Sequence, residues 1–581
     1  MTGQRRSHAT RRLYWLGGAL LVCYLVVVVR LVQIMVLRHD QYVTLAGSQH
    51  NLVKKLSPDR GEIFFQDRFG KALPAAVNRE AYLLSAAPKT VSDPEHVAAL
   101  LAGVLEVPAP PIAEKLGNRQ ASYAVLAPSI TPGERTAIEA LALDGIHLSP
   151  VPQRSYPRGE TAAVVTGFHG FRDGYPAGQY GLEEFYDEAL RGKEGQVRGE
   201  RDTLGRIIFS ALDVLSPARS GDSLYLTIDP NVQAQLALIL RKTLERWEAP
   251  SGAALVMEPR TGKIRAMVSL PSHDPNDYAK AENLALFVNR LVQERYEPGS
   301  VFKPFTMAGG LEERVVRPET TYDDPGEVRI GKAVIRNFDN NKHGVQTMTQ
   351  VLEKSLNTGV IHVLGKLGKE RFLDTVKAFG FGQKSGIDTV GEVASDIASL
   401  ETFHDLQFAT ATFGQGIAVT PIALARALAA IANGGELVTP YLVDYRRTAD
   451  GAIVMTEPKV TGRAIGKATA ETLTRMLVSV VDHGAGYRHA QVPGYSLAAK
   501  TGTAQIPGPD GGYIDDVTHT IVSFGPGSDP KFVLFFKIDR PQGNRFAANT
   551  LTPALHEMAK FLFEYYEIPP DRPEQVEKHQ E

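Results

Sequence analysis

One hydroxyl and one amine stand out in the run from Arg295 to Gly310, RYEPGSVFKPFTMAGG. Ser300 follows the turn pair Pro298-Gly299, and Lys303 comes three residues later among apolar neighbours. Serine is a good helix-start residue, and residues three apart share a helix face. The spacing therefore predicts that Lys303 Nζ reaches Ser300 Oγ. A serine hydroxyl is a weak nucleophile until a base takes its proton. A lysine amine serves as that base once burial or a second cation lowers its pKa. Val301, Phe302 and Phe305 supply burial, and a helix N-terminus favours negative charge developing at the serine. Pro304 lies in the first turn and removes at most about one backbone bond.

Alone, this spacing is weak. Ser528-Asp529-Pro530-Lys531 repeats it in a turn before a strand. Two further segments sharpen the signal. EKSLNTG holds Ser355 and Asn357, the only Ser-x-Asn of the chain, 55 residues after Ser300. Its bland reading is a capping serine and a turn asparagine. AAKTGTAQ holds Lys500, Thr501, Gly502 and Thr503 in a strand pattern, where glycine lets a ligand approach the backbone. A decoy, Lys384-Ser385-Gly386, sits in a glycine-rich loop with no such pattern. The ordered set Ser-x-x-Lys, Ser-x-Asn, Lys-Thr-Gly-Thr is more specific than any member.

Elements must bring these segments together. GAALVMEPRTGKIRAMVSLP reads as two strands around a Pro-Arg-Thr-Gly turn. Asp229-Pro230 and Thr420-Pro421 read as helix starts, the second helix ending at Gly434-Gly435. Three strand-like runs, SLAAKTGTAQ, HTIVSFGP and KFVLFFKID, precede a closing helix over 545–566. Strands, helices, then strands again predict an α+β domain whose sheet is shared by both ends of its sequence.

The chain has 581 residues, 43% hydrophobic, enough for two or three domains. A net charge of −2 carries no nucleic-acid footprint, and a single cysteine, Cys23, excludes an intrachain disulfide framework. No zinc-protease, phosphate-loop or Gly-x-Ser-x-Gly motif is present, so no metal and no cofactor are expected. Arg5, Arg6, Arg11 and Arg12 precede an uncharged run from Leu13 to Val29, then Arg30, then Leu31 to Leu37. That pattern predicts an uncleaved single-pass anchor in the cytoplasmic membrane, with a cytoplasmic N-terminus and the remaining chain outside. A cleaved signal peptide has a shorter apolar core.

The three motifs are those associated with β-lactamases and penicillin-binding proteins. The chain resembles a class B penicillin-binding protein, a monofunctional peptidoglycan D,D-transpeptidase, over nearly its whole length, most like the cell-division FtsI subfamily. The resemblance extends to RGEIFFQDRFG (Arg60–Gly70), which carries two extra residues between Ile63 and Asp67, and to RSYPRG, GLEEFYDEALRG and DTLGR. It implies an anchor at 13–37 after a cytoplasmic tail at 1–12, and a loop-rich, non-catalytic pedestal or dimerisation-type module at 38–220. A transpeptidase domain with a central antiparallel sheet flanked by helices follows at 221–566, and a disordered tail at 567–581.

The resemblance also implies roles. Ser300 attacks the bond between the two terminal D-alanines of a stem peptide, Lys303 takes its proton, and Ser355 relays a proton to the leaving amine. Asn357 binds the substrate amide; Lys500, Thr501 and Thr503 bind its terminal carboxylate. Backbone N–H groups of Ser300 and Thr503 form an oxyanion hole. The expected partners are stem peptides, β-lactams, the membrane, an FtsW-like glycosyltransferase and other divisome membrane proteins, with no nucleic acid. An elongation-type transpeptidase, a hydrolase and a non-catalytic β-lactam sensor or scaffold are the alternatives.

Overall fold

The computed structural model describes residues 4–40, 42, 51–201, 207–508 and 512–577; the Asp202–Arg206 motif lies outside them. The chain divides into two compact units: 1–59 with 192–220, and 60–191 with 221–581. In the first, a helix spans Gln4–Val32 and ends in a π-helical turn, Gln33–Leu37. The segment Arg11–Leu37 is long and apolar enough to cross a membrane, and none of it is buried by protein. Arg30 donates to Gln33 Oε1 at 2.7 Å, so its head is held toward the far end of the helix. The same unit holds an antiparallel sheet of Asn51–Leu56, Gly195–Arg201 and Ile207–Ser216.

The second unit contains the predicted shared sheet. Its strand order is Ile264–Leu270, Ser251–Met257, Phe532–Asp539, Tyr513–Gly525, Ala498–Pro507, all antiparallel. Phe532–Ile538 is buried throughout because both faces of the sheet are covered. Helices Pro230–Arg246 and Ala547–Tyr565 cover one face. Helix Pro421–Ala432 packs on the sheet too; all twelve of its residues are buried, as expected of a helix apolar all round. Thr420 Oγ1 caps it, accepting from Ala423 N–H at 3.3 Å. Asp229 caps Pro230–Arg246 in the same way, accepting from Asn231 N–H at 2.9 Å.

A second sheet crosses the boundary that the sequence reading places at 220. It runs Ile453–Met455, Val443–Arg447, Ser223–Leu226, Ile63–Gln66, Ala72–Ala86, Ala124–Ile130, with Ile146–Ser155 also paired to Ala72–Ala86. Strands of the early module therefore hydrogen-bond directly to strands of the catalytic half, and 60–191 is not a separate body. Ile63 and Phe65 are fully buried while Phe64 and Gln66 are half-buried. The two extra residues before Asp67 thus leave the inward alternation intact, as a shift of two must.

Three early motifs meet at one carboxylate. Glu183 of the GLEEFYDE run is fully buried. Arg154 Nε donates to it at 2.8 Å and Arg60 Nε at 2.7 Å. Asn78 joins the arginines: its Oδ1 accepts from Arg154 at 2.9 Å and its Nδ2 donates to the Arg60 carbonyl. Burial works to raise the Glu183 carboxyl, but Arg154 and Arg60 hold it below the ordinary glutamate range.

The segment 567–577 departs from the expected disordered tail. Ser496 N–H donates to Asp571 Oδ1 at 2.8 Å, and Arg572 makes a two-pronged pair with Asp482 at 2.9 and 2.8 Å. Opposite charges remote in sequence tie the segment down, which its polar composition does not reveal.

Glu183→Ala leaves Arg154 buried without its anion and removes one of the two carboxylates of Arg60, which keeps Asp187 at 2.8 Å. Breaking a buried pair in this way costs about 3–5 kcal/mol, measurable as a lowered urea midpoint of the full chain in detergent. Because the folded carboxyl titrates low, its contribution is present above the ordinary glutamate range. It is lost as pH falls through the depressed value, so the gap between wild type and Glu183→Ala narrows in acid.

Candidate active site

The serine segment is a 3-10 turn, Gly299–Phe302, running into the helix Lys303–Glu312. The turn is held from both sides. Gly299 N–H donates to the Gly414 carbonyl at 3.0 Å. Gly414 has a φ of +78°, and a Cβ there would lie 2.3 Å from the Gly299 carbonyl oxygen, so only glycine allows this approach. On the other side, a Cβ on Gly502 would lie 2.6 Å from the Pro298 carbonyl oxygen. Gly502 therefore brings the Ala498–Pro507 strand against the serine turn, and its role is close backbone packing.

Lys303 is fully buried. Its amine donates to the carbonyl and, at 3.1 Å, to the hydroxyl of Ser355. Among the described residues no hydrogen bond joins Lys303 Nζ to Ser300 Oγ, the contact that the spacing predicts. The helix begins at Lys303 rather than Ser300, and Ser355 takes the amine. Ser355 lies in the turn between helices Met348–Glu353 and Asn357–Leu367, in the left-handed region at φ +55°. A non-glycine residue held there stores on the order of 1–3 kcal/mol, and the Lys303 amine is bonded to both its backbone and its side chain.

Lys500 is also buried; its amine donates to the Thr501 carbonyl at 3.2 Å. Burial holds it down at about 7. Burial, reinforced by the Lys500 charge, pushes the Lys303 amine well below the ordinary lysine range.

Ala498–Pro507 is the edge strand of its sheet, so its outer N–H groups are not used by a further strand. Thr501 N–H points outward and donates to Tyr487 Oη at 2.6 Å. Backbone groups two residues apart on a strand face the same way, so the Thr503 N–H also points outward. Tyr487 also bonds the Thr501 hydroxyl at 2.8 Å, and burial pushes its phenol up to about 12. The Thr503 hydroxyl accepts from Ala547 N–H at 3.1 Å.

Ser300, Ser355, Lys500, Thr501 and Thr503 line one cavity of about 520 Å³. The three segments thus converge, with Lys303 buried beneath through its bonds to Ser355. Asn357 is not part of the lining; its Nδ2 donates to the Arg336 carbonyl at 2.8 Å. Its neighbour Thr358 is buried and bonded to Asp324 at 2.6 Å, which fixes the start of that helix. The decoys stay apart: Lys531 pairs with Asp529 at the surface, and Ser385 lies in a loop bonded to Glu392.

Sequence reasoning missed Tyr487 and the wall formed by Asn337, Phe338, His343 and Phe546. The wall residues come from loops without periodicity. Tyr487 follows Gly484-Ala485-Gly486, a turn signal that marks a loop but not what it touches.

Residues 252–558 match the penicillin binding protein transpeptidase domain, and residues 55–226 match the penicillin-binding protein dimerisation domain. The chain is 32% identical to the stage V sporulation protein D of Bacillus subtilis, over 96% of this chain and 86% of that one. It is 30% identical to the peptidoglycan D,D-transpeptidase FtsI of Escherichia coli, over 91% and 87%. A solved structure of penicillin binding protein 3 from Mycobacterium tuberculosis, complexed with aztreonam, superposes with a TM-score of 0.69 at 24% identity, covering 90% of this chain and 99% of that one. The chain belongs to the class B penicillin-binding proteins, a family of D,D-transpeptidases.

Removing the Lys500 charge by Lys500→Gln raises the Lys303 pKa, because that charge helps to depress it. The acidic limb of the acylation-rate pH profile then moves to higher pH. The basic limb near 7, where Lys500 itself loses its proton, disappears. Stopped-flow acylation by a carboxylate-bearing β-lactam across pH 5–9 checks both shifts.

Proposed function

We propose that this protein cross-links peptidoglycan through an acyl-enzyme on Ser300. The observation that carries the reading is the buried Lys303 amine, with a strongly lowered pKa and bonded to Ser355, at the cavity lined by Ser300 and the edge strand. In the first step Ser300 Oγ attacks the carbonyl between the terminal D-alanines. The O–C bond forms and the C–N bond breaks. The serine proton passes to Lys303 and, through Ser355, to the departing D-alanine amine. In the second step an amine of a neighbouring stem attacks the ester. A C–N bond forms, the ester C–O bond breaks, and the proton returns to Ser300.

The N–H of Ser300 and the outward N–H of Thr503 receive the oxyanion. Losing one such donor costs about 2.7–4 kcal/mol of transition-state stabilisation. Lys500, Thr501 and Thr503 take the substrate carboxylate, which selects a free C-terminus. Asn357 is assigned to the substrate amide, which requires it to leave the Arg336 carbonyl. A β-lactam acylates the same serine with its carboxylate at the same threonines.

The apolar N-terminal helix and its arginine-rich start support a single-pass cytoplasmic-membrane protein with its catalytic domain outside. FtsI among the relatives supports a septal role beside an FtsW-like glycosyltransferase. An elongation role is the second reading, and depletion separates them: filaments for division, rounding for elongation.

Ser300→Ala is expected to abolish covalent labelling by a fluorescent penicillin while the unfolding midpoint stays put. Undiminished labelling of that variant excludes Ser300 as nucleophile. Lys500→Ala is expected to slow acylation chiefly for ligands with a free carboxylate. An equal loss with a ligand lacking that carboxylate contradicts the assignment.

A further inference from the structure

Tyr487 lines the cavity of Ser300, and the reaction above gives it no task. It stands between the helix Lys467–His483 and the short turn Arg488–Ala490. Backbone bonds hold its loop on both sides. Gly484 N–H donates to the Val480 carbonyl at 2.9 Å, and Ala490 N–H donates to the Tyr487 carbonyl at 2.7 Å. The residue is only 2% exposed. Its hydroxyl meets one residue twice: Thr501 N–H donates to Oη at 2.6 Å, and Oη lies 2.8 Å from Thr501 Oγ1.

The hydrogens fix the direction of the second bond. A phenol has one hydrogen to give, and a buried donor without an acceptor is unfavourable. Among the described residues, the Tyr487 hydroxyl has no hydrogen-bond partner besides Thr501. Its hydrogen therefore goes to Thr501 Oγ1, and the hydrogen of Thr501 is left for the cavity that this residue lines. Burial pushes the phenol up to about 12, so the donated hydrogen is in place throughout the neutral range. Thr503 is arranged alike by another donor, its hydroxyl accepting from Ala547 N–H at 3.1 Å. Each threonine oxygen thus receives a hydrogen from the protein, and each threonine hydrogen remains for an incoming acceptor.

We propose that Tyr487 is a positioning residue that holds the Thr501 hydroxyl as a hydrogen-bond donor toward the substrate carboxylate and so sets the preference for a free acid. This deepens the reading of Thr501 given above and rests on it. An ionised carboxylate only accepts hydrogen bonds, whereas a neutral amide or acid also presents a donor. A hydroxyl whose oxygen is engaged and whose hydrogen is free favours the first. Hydrogen bonds to an ionised acceptor are also roughly twice as strong as neutral ones, so the aimed hydrogen contributes most when the ligand carries its charge. Tyr487 acts through Thr501, and its contribution vanishes with that hydroxyl.

The test compares acylation of the full chain in detergent by benzylpenicillin and by its methyl ester, which lacks the free carboxylate, each read by competition with a fluorescent penicillin. Tyr487→Phe keeps the ring and removes both bonds to Thr501. Acylation by the acid is expected to slow by about three- to tenfold, the range of one hydrogen bond, while acylation by the ester holds. The acid-to-ester ratio is taken on one preparation, so partial unfolding cancels and a merely structural role leaves it unmoved. In a Thr501→Val background, Tyr487→Phe is expected to change the ratio no further, because the two side chains act as one unit. Thr501→Ser keeps the hydroxyl and is expected to keep the full effect of Tyr487→Phe. If Thr501→Val lowers the ratio while Tyr487→Phe leaves it unchanged, or if the two losses multiply, the proposal alone is overturned. A ratio that Thr501→Val does not move removes the carboxylate reading of Thr501 beneath it.

Discussion

An amine buried without a counter-ion is the constraint on which the site depends. Lys303 has no accessible surface, and its bonds go to the carbonyl and hydroxyl of Ser355. Both groups serve a neutral amine as well as a charged one. Among the described residues, the only charge that shapes its titration is the repelling one of Lys500. Burial of an ammonium is unfavourable unless it is paired, so the fold selects the neutral form, which is the form able to take a proton. The tight turn, the glycines that admit the strand, and the strained Ser355 all maintain this one burial.

The early part of the chain serves the same end at a distance. Arg60, Arg154 and Glu183 come from three separate stretches and form one buried ion cluster. The adjoining strand Ile63–Gln66 pairs with Ser223–Leu226, which in turn pairs with Val443–Arg447 of the catalytic half. Since breaking a buried charge pair is strongly unfavourable, this cluster holds three stretches of residues 60–191 together, and the strand pairing joins them to the catalytic half. Residues 60–191 thus share a sheet and a compact unit with the catalytic half.

Much of this was legible in residue order. Strand alternation and the Thr420 and Asp229 caps are local signals, and those elements fall where the signals place them. The three motifs identify the segments that converge, because each has an unusual pair of polar groups in an apolar run. What was not legible depends on contacts between residues far apart. The partner of Lys303 is Ser355 because the helix starts one turn later than the serine cap implies. Asn357 bonds to Arg336, and Tyr487 clamps Thr501, through loops whose paths no periodicity encodes. The boundary at 220 looked like a seam because its residues are polar and turn-forming, yet a sheet passes over it.

Direct titration of the Lys303 amine tests the account most sharply. In protein carrying lysine labelled with 13C at Cε, the Lys303 signal is assigned by its loss in Lys303→Arg and followed from pH 5 to 11. The account predicts that this signal reaches its neutral-amine position well below the transition of any surface lysine. A signal that stays in the ammonium position until about pH 10, where an unperturbed lysine titrates, would contradict it.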